Sequence, residues 1–313
     1  MCNAVRNLIK ALNLLKIVVI FLVFILPACS PAKLYLVPDE NQFSPLADEE
    51  YSEFVAGIKG SHIKGESGSI IYTIKLRSPV HSALFEQALV FARDNDSNTM
   101  IRTSVYSSNF SRLLYYAVLN NAIGLTCDAI NGEAVFSSNG LFYLPDLPEL
   151  LHDPKLFLSV LLGRLPDNLD KIILKIQKTD TTSEQVAKKV ILKASLPGLA
   201  IESLYENISG YGSLWHPVRL LVLPDKTSGN SGNAENSKSM QEARSILIEY
   251  SYTSESELLS GRFIPSNIMI TLPEDRASLE FIVRRFSDKI EGSFDQLFDT
   301  TPPASYRVIS IDK

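Results

Sequence analysis

The chain has 313 residues, 45% of them apolar and 21% charged, and a net charge of −5. That is the balance of an ordinary globular protein, with the apolar share raised by the first thirty residues. An acidic chain without a basic stripe gives no support for nucleic acid as a partner.

Arg6, Lys10 and Lys16 precede any acid, the first of which is Asp39. From Ile17 to Ile25 every residue is apolar, and the run ends in Leu26-Pro27-Ala28-Cys29. A basic start, a short apolar core and a small residue before the cut make a secretory signal over residues 1–28. The core is short for a bilayer of about 30 Å, and Pro27 would break a continuing anchor helix. Leu26, Ala28 and Cys29 resemble the bacterial lipobox. The resemblance implies a diacylglycerol thioether on Cys29, cleavage before it and acylation of the new amino terminus, which places the protein in the cell envelope. Ser30, where aspartate would signal retention in the inner membrane, leans towards the periplasmic face of the outer membrane. Loss of residues 1–28 leaves 285 residues and moves the net charge to −8. Cys2 leaves with the signal, so Cys127 has no partner for an internal disulfide. Its setting, Gly124-Leu125-Thr126-Cys127, suits a small buried hydrophobe better than a nucleophile.

Residues 29–47 carry three prolines between Ser30 and Ala47 and read as a lipidated tether. The remainder, 48–313, is expected to form one domain. Acids crowd the start of 48–58, where Tyr51, Phe54, Val55 and Ile58 have helical spacing. Ser69–Leu76, Ala83–Ala92, Met100–Tyr106 and Leu113–Val118 then read as strands. Asp94-Asn95-Asp96 and Asn131-Gly132 are expected hairpin turns.

Residues 145–166 interrupt the strands. Leu147, Leu150 and Leu151, then Leu156, Phe157, Val160 and Leu161, recur at helical spacing. Pro148 and Pro154 stand where helices tolerate proline, and Gly163 and Pro166 close the second helix. Strands resume at Ile172–Ile176, Lys189–Ala194, Leu199–Tyr205, Leu214–Leu223, Ser245–Tyr252, Asn267–Leu272, Leu279–Phe286 and Ser305–Ile311. Residues 225–241 are almost devoid of apolar side chains and read as a flexible hairpin insertion.

Catalytic signals are weak. Gly65-Glu66-Ser67-Gly68-Ser69 looks like a serine-protease nucleophile loop, yet only His62 precedes it, and a glycine-bent turn between strands is the better reading. His62, His81, His152 and His216 are scattered, with no metal-ligand spacing. Asp94-Asn95-Asp96-Ser97-Asn98 has Thr99 where a calcium loop needs glycine, and reads as a solvated turn. No enzyme activity, metal or cofactor is expected.

The pattern points to a mainly β (α+β) fold: a strongly curved antiparallel half-barrel with short helices as a lid over an apolar cavity. On pattern alone, helices that merely complete an ordinary core are the better reading. Two segments add a resemblance. Pro265-Ser266-Asn267-Ile268-Met269-Ile270, then Leu279–Val283, then Asp295-Gln296-Leu297-Phe298 to Pro302-Pro303, resemble the "P-x-x-I-x-I" strand, alternating strand and "D-x-x-F…P" ending of the LolA/LolB superfamily. Pro154–Gly163 is similar to the helix just past the midpoint of LolB-like proteins. The order of elements agrees over roughly residues 50 to 311.

This resemblance implies a curved sheet with a helical lid over a hydrophobic cavity, binding acyl chains or lipoproteins. A lipid on Cys29 would make the protein a membrane-fixed acceptor, with a soluble periplasmic carrier as its partner. Leu147, Leu150, Leu156, Phe157, Val160 and Leu161 are the expected lid and cavity residues. Phe110 is the expected membrane-facing residue, although the family's Pro-Leu-Gly is missing there. An interaction or regulatory module of the same fold, or a structural envelope lipoprotein without ligand, are the alternatives.

Overall fold

The computed structural model describes residues 43–45, 48–60, 67–93, 99–138, 140–141, 149–164, 173–179, 189–196, 199–207, 215–224, 245–252 and 264–310. Cys29, Leu147, the turn at 94–98 and the insertion 225–241 lie outside them.

The chain opens with β1 (Phe43–Pro45) and helix α1 (Asp48–Gly60). A first meander follows: β2 (Ser67–Arg77), β3 (Ser82–Arg93), β4 (Thr99–Ser107), β5 (Leu113–Asn120), β6 (Ile123–Asp128) and β7 (Glu133–Ser137). A 3-10 turn (Glu149–His152) and helix α2 (Pro154–Leu161) come next. The second meander is β8 (Ile173–Thr179), β9 (Lys189–Leu196), β10 (Leu199–Asn207), β11 (Trp215–Pro224), β12 (Ile246–Ser251), β13 (Asn267–Leu272) and β14 (Ala277–Ser287). Helix α3 (Phe294–Leu297) and β15 (Arg307–Ser310) end it.

The fifteen strands among the described residues form one sheet, ordered β1-β8-β9-β10-β11-β12-β13-β14-β2-β3-β4-β5-β6-β7-β15. The two meanders therefore join where β14 pairs antiparallel with β2, Phe281 opposite Ile74. The sheet is open and curved. Its register slips between Val105 and Tyr106, Ile173 and Lys175, Leu204 and Tyr205, and Val283 and Arg285. Each irregularity strengthens the local twist and bends the strand.

Two strand-period patterns sort the faces. Ile70, Tyr72, Ile74 and Leu76 of β2 point into the concave side, with Leu89 and Phe91 of β3 and Leu279 and Phe281 of β14. Ile201 and Tyr205 of β10 and Ile248 and Tyr250 of β12 join the same apolar cluster. Between β13 and β3 the opposite, convex face is polar: Lys75 pairs with Glu280 at 3.1 Å, and Arg284 donates to Thr73 at 2.8 Å.

Further along, the convex face is apolar and covered. After β14 the chain crosses it, burying Phe298 against Ala92 and Val118. Arg102 donates to the Leu297 carbonyl (3.2 Å) and Asn120 to that of Phe298 (3.2 Å), fixing this strap. The strap ends in β15, which pairs parallel with β7 and so departs from the expected all-antiparallel meander. Without β15, β7 would present an open row of backbone donors and acceptors.

Three further differences from the sequence expectation have local causes. Phe43–Pro45, expected as tether, adds β1 to the edge strand β8. Of the first of the two midpoint helices, the described part, Glu149–His152, is a 3-10 turn and not α-helix. Ser67, Gly68 and Ser69 begin β2 and do not form a turn. A Cβ on Gly68 would stand 3.0 Å from both the Phe91 ring and the Ser287 carbonyl, so glycine there serves close packing.

Candidate functional site: a helix seated on the concave face

The link between the meanders carries α2 onto the concave surface. The Asp153 carboxylate accepts from the amides of Lys155 (2.8 Å) and Leu156 (3.3 Å), while Pro154 occupies the first helical position. At the other end Gly163 takes φ +63. Its amide donates to the Val160 carbonyl and that of Arg164 to Ser159, the double closure of a Schellman motif. The helix is thus a short unit stopped at both ends by its own sequence.

Phe157, Val160 and Leu161 are buried in the concave cluster, with Leu156 half-buried beside them. The backbone of Leu150 lies in the 3-10 turn. Helical periodicity missed Leu158 and Leu162, which are buried too. A helix apolar on more than one face is one that is enclosed.

Two contacts hold α2 down. The Tyr72 hydroxyl, on the sheet, donates to the Leu161 carbonyl at 3.2 Å. Gly163 lies so close to the β12–β13 connection that a Cβ would fall 2.7 Å from Pro265 Cγ and 3.0 Å from the Tyr252 hydroxyl. Burial pushes the Tyr72 hydroxyl pKa upward, so it remains a donor.

A second group on this face was not legible in the sequence. Phe54 of α1 packs edge-on against Tyr205 (5.5 Å) and Trp215 (5.1 Å). The Tyr252 hydroxyl donates to the Pro217 carbonyl (3.0 Å), and its ring meets His216 at 4.7 Å. Ser203 Oγ, Tyr205 OH and Trp215 Nε1 are buried without a hydrogen-bond partner among the described residues. The aromatics come from α1, β10, β11 and β12, which no local spacing relates. Burial lowers the His216 pKa, against a smaller opposing effect of Glu206.

The other marked residues do not converge. Ser67 is in β2, and His62 lies outside the described residues. His81 sits in the exposed β2–β3 turn, bonded to Ser78, and His152 in the 3-10 turn. Cys127 is buried with Leu125 and Ala134, as its apolar setting suggested, and burial raises its pKa. No group of three or more His, Cys, Asp or Glu among the described residues is placed to hold a metal ion. Phe110 lies in a 3-10 turn (Ser108–Phe110) between β4 and β5, 44% exposed and at φ +52.

This architecture, a mainly β, open curved sheet with few short helices, is the fold class expected. No family model matches the sequence, and no curated protein matches it. Among solved structures, a DUF1329 family protein from Desulfovibrio piger aligns over 82% of this chain and 98% of its own, at 7% identity and a TM-score of 0.55. A LolA superfamily protein from Nitrosomonas europaea aligns over 79% and 96%, at 8% identity and a TM-score of 0.48. A domain described as outer membrane lipoprotein-sorting, from Vibrio parahaemolyticus, aligns over 78% and 94%, at 6% identity and a TM-score of 0.48. At such identities the likeness is one of fold.

Proposed function

We propose that the protein is a lipid-anchored binding protein of the cell envelope. It holds acyl chains against the concave face of its sheet and serves the placing of lipoproteins in the outer membrane. The observation that carries this reading is α2: an apolar helix, closed off at both ends, seated on an apolar concave surface in the link between the two meanders.

Such a helix can leave the sheet without unravelling a strand. Its departure would expose Phe157, Val160 and Leu161 together with the sheet residues beneath them, and an acyl chain would take the helix's place. Capture is favoured by about 25 cal/mol for each Å² of apolar surface withdrawn from water. Release needs only reclosure of the lid, so no covalent step is required. The unpartnered donors Tyr205 OH and Trp215 Nε1 would meet the carbonyl end of the chain. Leu147 and Leu150 belong to the same link and are assigned to the lid.

Tethering by Cys29 makes the protein an acceptor fixed to its membrane, and a soluble carrier its supplier. Two measurements test the reading. Purified protein is titrated with a fluorescent fatty acid, and saturable uptake is expected. Cells fed labelled palmitate should label the wild type and not Cys29→Ala. Absence of uptake, together with outer-membrane lipoproteins that stay in place after depletion, would overturn the binding role. The dense filling of the concave face by Phe54, Phe157 and Leu161 favours, as second reading, an interaction module of the same fold. Protein that takes up no acyl chain at all would move the choice there.

A further inference from the structure

The register places three turns of the first meander at one end of the sheet. Arg77 lies opposite Ser82, Phe85 opposite Ser107, and Tyr115 opposite Asp128. The β2–β3, β4–β5 and β6–β7 turns therefore point the same way, each stepped back along the strands from the one before. All three carry a large apolar residue in the open: Val80 (88% exposed), Phe110 (44%) and Ile130 (46%). Leu84, exposed on β3, accompanies them. Turn chemistry calls for Gly, Asn, Asp or Ser at such places. The β13–β14 turn at the same end is charged instead, with Glu274, Asp275 and Arg276.

The three turns are stiff. Ser78 and His81 exchange backbone and hydroxyl hydrogen bonds across the first. In the second, the Ser107 amide donates to the Arg112 carbonyl (2.8 Å), the Ser107 and Ser111 hydroxyls pair (2.7 Å), and Phe110 packs on Tyr106 at 5.2 Å. There Phe110 is held at positive φ, where a bulky residue is strained, so the turn keeps an aromatic at its tip against the backbone's preference. In the third, the Asp128 carboxylate accepts from the amides of Ile130 and Asn131. Arg77, His81 and Arg112 are exposed beside the tips. The nearby carboxylates of Asp128 and Glu133 are engaged, the first by that turn and the second by Arg307.

We propose that this rim docks on an anionic lipid bilayer, with Val80, Phe110 and Ile130 entering the headgroup–acyl boundary and Arg77 and Arg112 at the phosphates. Apolar tips flanked by cations are the composition of an interfacial membrane binder. Alternate hairpin tips stand about 10 Å apart across the sheet, separate fingers that a fluid surface accommodates. A protein partner would ask for a continuous patch of about 800 Å². The family resemblance points only to the loop of Phe110; the register adds the other two. The proposal rests on the reading of a lipid-anchored protein and goes beyond its acyl-binding face.

The test uses full-length protein purified from membranes and reconstituted in phosphatidylethanolamine–phosphatidylglycerol vesicles. Single cysteines V80C, F110C and I130C, and I123C at the opposite end about 25 Å away, are labelled with an environment-sensitive fluorophore. Cys127 is fully buried and should not react. On vesicles the first three labels should brighten and shift to the blue, more strongly with anionic lipid, while the label at 123 stays unchanged. Labels at 80, 110 and 130 as wet as that at 123 overturn the proposal, as does a response that needs an added soluble protein. Wild-type protein taken through the same labelling reads Cys29. Dye uptake there fails the anchor reading alone, and the comparison with position 123 above that background still decides the rim.

Discussion

Tyr72→Phe removes one oxygen from the sheet and leaves the ring, with its edge-on contact to Phe281 at 5.9 Å, in place. What is lost is the hydroxyl that reaches the Leu161 carbonyl in the last turn of α2. That carbonyl belongs to a helix end, where backbone acceptors lack partners within the helix. Tyr72 is wholly buried, so water does not replace the donor. At 3.2 Å the bond is longer than the usual hydroxyl range, which puts its net worth near the middle of the ordinary scale, about 1 kcal/mol. An opening equilibrium confined to α2 would then shift about five- to sixfold. Amide hydrogen exchange reads this directly. Protection of the amides from Leu158 to Arg164 should fall by about that factor, while the β2 and β14 amides keep theirs apart from any global change. Fluorescent fatty acid should also enter faster. Unchanged protection in α2, or an equal fall in every strand, would refute the idea that Tyr72 is the latch of a separately opening helix.

Phe298→Ala should cost about 3–5 kcal/mol in urea unfolding, because the ring is buried against Ala92 and Val118. Exchange should quicken in the strap and β15 before it does in the second meander, since Arg102 and Asn120 would then hold a strap without its anchor. His216 gives a pH dependence. Burial holds its folded pKa below the ordinary 6.5, with Glu206 opposing, so the unfolded chain takes up a proton that the folded chain refuses. Stability should therefore fall as pH drops through about 6.5, read as the urea midpoint, and His216→Phe should flatten that part of the profile.

Most strands were legible because one face of each is buried, and alternation records that directly, as in Ile70, Tyr72, Ile74 and Leu76. Helix α2 was legible for the same reason and because Pro154 and Gly163 mark its ends. The strap was not: Phe298 and Tyr306 meet the convex face through contacts that follow from no local period. β15 was legible as a strand within Ser305–Ile311, but its parallel pairing with β7, about 170 residues earlier, was not. The aromatic group around Phe54 escaped for a related reason, since four elements supply it. Phe110 was placed by resemblance, whereas Val80 and Ile130 join it only through pairings that a single sequence does not display.

The seam between β14 and β2 has a consequence for how the chain reaches this state. Lys75 and Glu280, bonded across it, are 205 residues apart, so the middle of the sheet is completed only after nearly the whole chain is present. Until then the first meander carries an open edge at β2, a template for pairing with any passing strand. Assembly in which the central ladder closes last is slow, and it leaves that edge exposed to association for the whole interval. The polar outer row of β2, with Thr73, Lys75 and Arg77, leaves only one side of that waiting edge adhesive.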